Sequence, residues 1–116
     1  MRQKPFTAAQ LAQLEANAKH GNETGETRPP VVKYFTPWGS ATWLICEAEK
    51  YEGDYILFGL CDLGVGFPEI GSVMLSDLQS LRGPLGLTVE RDLHFTATKS
   101  LSEYAEEATE LERINA

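Results

Sequence analysis

The stretch ATWLICEAEKYEGDYILFGLC, residues 41–61, decides the fold. Two apolar runs, Ala41–Ala48 and Tyr55–Cys61, flank a turn over residues 51–54, so the stretch predicts two strands joined by a short turn. Successive side chains of a strand point to opposite faces of the sheet, and here both alternating sets are largely apolar. We therefore expect both strands to lie centrally in a sheet that is covered on both faces.

Three weaker patterns predict the rest of the sheet. Val31–Phe35 is rich in β-branched and aromatic residues, and a turn at Pro37–Ser40 follows it. Residues 70–75 form a weaker apolar run after a glycine-rich loop, and apolar and polar residues alternate over 93–97. The sequence thus predicts a mainly antiparallel sheet of about five strands.

Three capping boxes predict three helices, because a Ser or Thr followed three residues later by Gln or Glu can satisfy free amides of a first turn. The pairs are Thr7 with Gln10, Ser76 with Gln79, and Ser100 with Glu103. The first and third open N- and C-terminal helices. The second opens a short internal helix that Gly83 and Pro84 end. The expected fold class is therefore α+β, with the two terminal helices covering part of the sheet.

The chain is expected to form a single α+β domain over residues 1–116. In this division, residues 1–30 hold the N-terminal helix and a flexible connector over 22–30. Residues 31–97 form the core, and residues 98–116 form the C-terminal helix. The connector is polar and carries two prolines and a glycine, so it has little apolar surface to bury.

The composition is that of a soluble, acidic domain, with 42% hydrophobic residues, 23% charged residues and a net charge of −7. An acidic surface repels phosphate backbones, which argues against direct nucleic-acid binding. The sequence contains no membrane-length apolar run and no signal-like start. Its two cysteines, Cys46 and Cys61, sit in apolar strand patterns, so a reduced, cytoplasmic protein is expected.

Several separate motifs resemble the bacterial family of unknown function DUF2958 over about residues 31–95. They are YFTP (34–37), TW (42–43), FGL (58–60), LSDL (75–78), RGPLGL (82–87) and ERDL (90–93). The resemblance implies a small bacterial protein carried by plasmids, conjugative elements and phage-like DNA. It implies no activity, cofactor or catalytic residue.

No catalytic motif stands out in the sequence, and we assign no catalytic, cofactor-binding or metal-binding residue. A Cys46 or Cys61 nucleophile with His94 as base is weighed against buried structural thiols, which the strand pattern favours. A cation site is weighed against a solvated acidic hairpin, which the lack of a calcium-loop spacing favours. The acidic residues concerned are Glu47, Glu49, Glu52, Asp54 and Asp62.

Four residues form the candidate binding surface: Trp38, Phe67, Arg82 and Arg91. Exposed aromatic residues in loops are typical of binding surfaces, and Trp38 has the alternative of folding back over the core. Arginine grips carboxylates and phosphates with two parallel hydrogen bonds. Its alternative here is an ion pair that holds a turn, for which Glu90 and Asp92 are the natural partners of Arg91.

The leading functional hypothesis is a non-catalytic interaction or accessory protein of a bacterial mobile element, binding a host or element-encoded protein through the loops at the sheet ends. One alternative is an acidic nucleic-acid mimic that blocks a DNA-handling enzyme. Another is a small metal-dependent hydrolase or nuclease. Single-stranded nucleic-acid binding through Trp38, Tyr34, Arg82 and Arg91 is a further alternative.

Overall fold

The computed structural model of the protein describes residues 1–20 and 28–116, so most of the connector expected over 22–30 lies outside the described residues. The described elements, in chain order, are α1 (Ala8–Lys19), β1 (Val32–Phe35), β2 (Thr42–Tyr51), β3 (Asp54–Asp62), β4 (Glu69–Met74), α2 (Leu75–Ser80), β5 (Glu90–Arg91) and α3 (Leu101–Leu111). The predicted α+β class is confirmed. No helix in this part of the chain is long and apolar enough to cross a membrane.

The strands form one antiparallel sheet in the order β4-β3-β2-β1-β5. Each of the first four strands pairs with its neighbour in sequence, and β5 returns to the free edge of β1. Six successive residues of β2, from Trp43 to Ala48, are buried. The double-sided burial that the apolar runs predicted is therefore confirmed.

Each face of the sheet carries its own apolar core. On one face, Leu14 of α1 packs among residues that include Tyr34, Ile45 and Leu57, and α2 adds to this cluster. On the other face, α3 buries its residues against Leu44 and Leu60. The residues of α3 in this second cluster are Leu101, Tyr104 and Ala108. Both terminal helices thus cover the sheet, as expected.

The capping boxes of the terminal helices form as predicted. Thr7 Oγ1 accepts the Gln10 N–H at 3.0 Å, and the Gln10 side chain accepts the Thr7 N–H at 2.8 Å. The equivalent reciprocal pair joins Ser100 and Glu103 at the start of α3. These local signals succeed because both partners of each hydrogen bond lie within one turn of chain.

The predicted capping box of α2 does not form. The helix begins at Leu75, one residue before the expected cap, and Ser76 lies inside its first turn. There the Ser76 hydroxyl donates to Asp54 Oδ2, and its N–H donates to Oδ1 at 3.2 Å. The hydrogen bond from Ser76 lowers the pKa of Asp54. The first turn of α2 is thus stabilised by the first residue of β3 rather than by a residue of its own segment.

The fifth strand was predicted in the wrong place. It covers only Glu90–Arg91, and residues 93–97 are irregular. The reason is a side-chain turn: Asp92 Oδ1 accepts the His94 N–H at 2.9 Å, which bends the chain away from β1. Phe95 and Ala97 still pack against the α3-side core, whereas Leu93 is exposed. The alternation therefore reflected partial burial without strand pairing.

Candidate interaction surface

Three connections lie side by side at one end of the sheet. Asp62 at the end of β3 pairs with Thr42 at the start of β2, and Phe35 at the end of β1 pairs with both Thr42 and Glu90. The segments that continue from these strand ends therefore share one edge of the molecule. They are residues 37–40, 63–68 and 82–88, and we refer to them together as the sheet-end surface.

Residues 82–88 form a tight hairpin. An antiparallel bridge joins Arg82 to Thr88, and the Gly83 N–H donates to Leu87 O at 2.7 Å. The Leu87 N–H donates to Pro84 O at 3.1 Å and closes the turn. Its two central residues both have positive φ, 57° at Leu85 and 75° at Gly86, which is the pattern of a type I′ turn.

Leu85 occupies this turn at an energetic cost and buries nothing. The first central position of a type I′ turn favours Asn, Asp or Gly, because a side chain in the left-handed region crowds its own backbone. Leu85 has the left-handed conformation (φ 57°, ψ 24°) and its side chain is 100% exposed. Backbone strain of this kind occurs most often at functional sites, so Leu85 is a candidate site residue.

Trp38 lies against the base of this hairpin. Its indole packs at the margin of the α1-side core and is half-buried. A Cβ on residue 83 would lie 2.2 Å from Cδ2 of the indole, so only glycine allows the hairpin to approach this closely. The second alternative for Trp38, folding back over the core, is therefore the one observed, and the indole supports the hairpin that presents Leu85.

Phe67 lies in the loop between β3 and β4 and is 76% exposed. Leu63 and Val65 of the same loop are also largely exposed. A shallow groove of about 380 Å³ separates the segment Val65–Glu69 from Thr109 and Glu112 at the end of α3. The loop thus offers apolar side chains beside an open depression.

The sheet-end surface is almost free of charge. Its three segments carry one charged side chain, that of Arg82, whereas 23% of the whole chain is charged and the net charge is −7. Depletion of charged residues at the centre is the compositional signature of protein–protein interfaces. Together with the exposed Leu63, Val65, Phe67 and Leu85, it distinguishes this end from the rest of the acidic molecule.

The two arginines of the predicted binding surface make structural contacts. Arg82 Nη1 donates to the carbonyls of Gln79 and Leu81, at the end of α2. Arg91 Nη1 donates to Lys4 O at 2.9 Å, away from the sheet-end surface. The ion pair expected between Arg91 and Asp92 does not form: Lys33 Nζ lies 3.5 Å from Asp92 Oδ2 instead. Of the four predicted residues, Trp38 lies against the hairpin that begins at Arg82, and Phe67 lies in a separate segment of the sheet-end surface, beside the end of α3.

The nucleic-acid platform that combined these residues with Tyr34 is not formed. Tyr34 is fully buried, and its hydroxyl donates to Pro5 O at 2.6 Å. Burial raises the pKa of this hydroxyl. Its ring therefore has no face on which a base can stack.

The cysteine–histidine hypothesis finds no support in the geometry. Cys46 is fully buried, and burial raises the pKa of Cys61 to about 11. A thiol with that pKa carries almost no thiolate at neutral pH and is a poor nucleophile. His94 is exposed in the turn after Asp92, where its backbone N–H donates to that side chain.

The acidic residues that the sequence grouped together are dispersed. Asp54 and Asp62 stand at opposite ends of β3, about 26 Å apart at the rise of a strand. Asp62 is buried, and its carboxylate accepts the N–H groups of Gly64 and Ile114. In residues 1–20 and 28–116, no three His, Cys, Asp or Glu side chains lie close enough together to hold a metal ion.

Glu47 is a second buried acidic residue, and its environment differs from that of Asp62. It is 7% exposed, and its buried Oε2 has no hydrogen-bond partner within the described part of the chain. Burial raises the pKa of Glu47 above 4.5, the charge of Arg28 opposes this shift, and the charge of Glu49 adds to it. The folded protein therefore holds this proton to a higher pH than the unfolded chain, and its contribution to stability, complete below pH 4.5, is lost as the pH rises.

We expect Glu47→Gln to be more stable than the wild type at pH 7 by about 1 kcal/mol, because the amide removes an unpaired buried charge. At about pH 3.5, where the wild-type carboxyl is protonated, the two proteins should be equally stable. Urea denaturation at both pH values measures the difference. Glu110→Gln, at an exposed position of α3, is the matched control and should match the wild type. A Glu47→Gln protein that is less stable at pH 7 would contradict the assignment.

The sequence did not predict that residues 82–88 form an exposed hairpin. Its Gly-Pro signal predicts a helix end, and the Leu85-Gly86 pair lacks the Asn or Asp that marks a type I′ turn. The buried, unpaired state of Glu47 was also missed. A glutamate at a strand position between apolar residues was the available signal.

The fold and the surface are those of a small α+β domain whose sheet is covered on both faces. Its sheet-end surface carries one charged side chain, that of Arg82. The chain belongs to the family described as "Protein of unknown function (DUF2958)", whose family model matches residues 6–115. The match confirms the resemblance and extends it to both terminal helices, beyond the 31–95 on which the motifs lie. No curated protein and no solved structure matches the chain.

Proposed function

We propose that the protein is a non-catalytic interaction protein that binds another protein through the sheet-end surface. The observation that carries the proposal is the fully exposed Leu85, held in a left-handed conformation at a hairpin tip. Native proteins retain backbone strain of this kind where it serves a site. The position lies at the uncharged end of an otherwise acidic chain.

The chemistry of the surface identifies the kind of partner. A leucine side chain and an aromatic ring that bury in a pocket gain about 1.5–3 kcal/mol each from desolvation. The three segments of the surface carry only one charged side chain, that of Arg82, so few charged counterparts are required. The partner should therefore offer an apolar surface with room for Leu85 and Phe67. Because the family resemblance implies a bacterial mobile element, a host protein or a protein of the same element is the expected partner.

The nucleic-acid mimic remains a second hypothesis without a structural observation in its favour. The exposed glutamates 103, 106 and 110 follow one another on α3 over about 10 Å, at the rise of a helix. That row covers only about three phosphates of one DNA strand. The apolar sheet-end surface is the more distinctive feature of the molecule.

We expect Leu85→Asn to raise stability and abolish binding together. Asparagine suits the left-handed position, so the free energy of unfolding should rise by about 1 kcal/mol. The apolar anchor is lost, so recovery of a co-purifying protein from the native cells should fall at least tenfold. Urea denaturation measures the free energy of unfolding. Quantitative mass spectrometry with isotope labelling measures the recovery of the partner from affinity-purified complexes.

Leu93→Asn is the matched control, since Leu93 is 61% exposed and follows β5 toward the opposite end of the sheet. This variant should recover the same partner in the same amount as the wild type. Equal recovery with Leu85→Asn, or loss of the partner with Leu93→Asn alone, would refute the proposed surface.

A further inference from the structure

We propose that a pocket around Glu47 binds the guanidinium group of an arginine side chain supplied by a basic peptide segment. The pocket has a volume of about 270 Å³ and is lined by Ala18, Glu47, Glu49, Ile56, Phe58 and Ser72. Glu47 lies about 17 Å along β2 from Thr42, where the strand meets the sheet-end surface, at the rise of a strand. This inference is independent of the proposed function.

The sheet register sets out the floor of the pocket. Glu47 pairs with Phe58, and Phe58 pairs with Ser72, so these three side chains form one row across β2, β3 and β4. Glu49 and Ile56 form the next row. Directly opposite residues of an antiparallel pair share a face, which here is the face that α3 covers further along.

The buried carboxylate oxygen is the observation that points to a ligand. A buried oxygen without a partner costs about 1–3 kcal/mol and is rare in native proteins. Among residues 1–20 and 28–116, Glu47 Oε2 has no hydrogen-bond partner although Glu47 is 7% exposed. Arg28 acts on it through its charge, but Arg28 Nη1 donates to Asn17 O. A hydrogen-bond donor from a ligand would supply the missing partner of Glu47 Oε2.

A β-bulge explains how a glutamate comes to line the pocket at this point. The register between β2 and β3 shifts between Ile45 and Glu47, so Cys46 is an extra residue. Cys46 and Glu47 consequently both turn toward the α3-side face, and Cys46 packs in the core there. Bulges re-aim side chains in this manner at sites of function.

The lining selects an organic cation over a metal ion. Ca²⁺ takes six to eight oxygen ligands, and the pocket offers two carboxylates and one hydroxyl. The aromatic ring of Phe58 and the side chain of Ile56 suit a planar, weakly hydrated group that stacks on apolar surface. A guanidinium group also donates two parallel hydrogen bonds to a carboxylate. The net charge of −7 attracts a basic segment.

The test uses the full chain and the peptide acetyl-Gly-Arg-Gly-amide, followed by ¹⁵N chemical-shift titration at pH 7. We expect saturable shifts at residues 47, 49, 58 and 72. The same peptide with citrulline in place of arginine keeps the shape without the charge and should show at least tenfold weaker binding. Glu47→Gln should weaken arginine-peptide binding at least tenfold, and Glu110→Gln should leave it within twofold.

Saturable binding with this pattern supports the proposal. Four results overturn it: absence of saturable shifts in the wild type, equal binding of the citrulline peptide, unchanged binding to Glu47→Gln, or shifts confined to other residues. Because none of these readouts involves Leu85 or a protein partner, failure here leaves the proposed function unaffected.

Discussion

Gly59→Ala should unfold the protein or cost it about 3–5 kcal/mol, the largest effect expected of any substitution considered. A Cβ at position 59 would lie 1.9 Å from Leu44 O and 2.9 Å from Ile45 Cα. Both atoms belong to the backbone of the central strand β2, next to its bulge, so no side-chain rotation can relieve the overlap. Urea denaturation of purified protein, or the soluble yield if none folds, measures the loss.

Gly71→Ala provides the matched control for this substitution. Gly71 pairs with Gly59 across β3 and β4, yet a Cβ at position 71 would meet nothing within 4 Å. Alanine loses less backbone entropy than glycine on folding, so Gly71→Ala should be neutral or stabilising by about 0.5 kcal/mol. If both variants are equally destabilised, the close approach of β2 and β3 at Gly59 is not the cause.

Asp62→Ala should cost about 3 kcal/mol and loosen the C-terminal segment. Asp62 is 1% exposed, and its two oxygens accept the Gly64 N–H at 2.8 Å and the Ile114 N–H at 3.0 Å. Hydrogen bonds to a charged group contribute about 1.5–3 kcal/mol each, and the substitution leaves a buried N–H of Ile114 without a partner. Amide hydrogen exchange at Ile114 should accelerate by at least the factor that corresponds to the fall in the free energy of unfolding.

Asp92→Ala tests whether burial causes this effect. Asp92 makes the same local contact, accepting the N–H two residues on at 2.9 Å, and adds a partly exposed ion pair with Lys33. Because neither contact is fully buried, the expected loss is about 0.5–1 kcal/mol. A loss for Asp62→Ala no larger than that for Asp92→Ala would show that the bond to Ile114 contributes little.

The features that sequence reasoning predicted correctly depend on short-range signals or on a strong apolar pattern. Thr7 with Gln10 and Ser100 with Glu103 are complete within one turn, so the cap follows from the local sequence. The unbroken apolar runs of β2 and β3 leave no face for solvent and therefore require cover on both sides.

The features that it missed depend on partners distant in sequence or on local turns that the apolar pattern does not reveal. Asp54 stabilises the first turn of α2 from 22 residues away, and Asp92 bends the chain where alternation suggested a strand. Buried Asp62 accepts a hydrogen bond from the Ile114 N–H, 52 residues away in sequence. Its spacing from the other acidic residues therefore did not predict its role. The turn at Leu85 was missed because leucine contradicts the usual residue preference of a type I′ turn.

The most direct test of the interaction surface is contact mapping in the native cells with a photo-crosslinking amino acid. The probe replaces Leu85 at the hairpin tip, or Leu93, which is also largely exposed and lies toward the other end of the sheet. The account predicts one discrete protein adduct from position 85 and none from position 93. An adduct from position 93 alone, the same adducts from both positions, or none from either would contradict it.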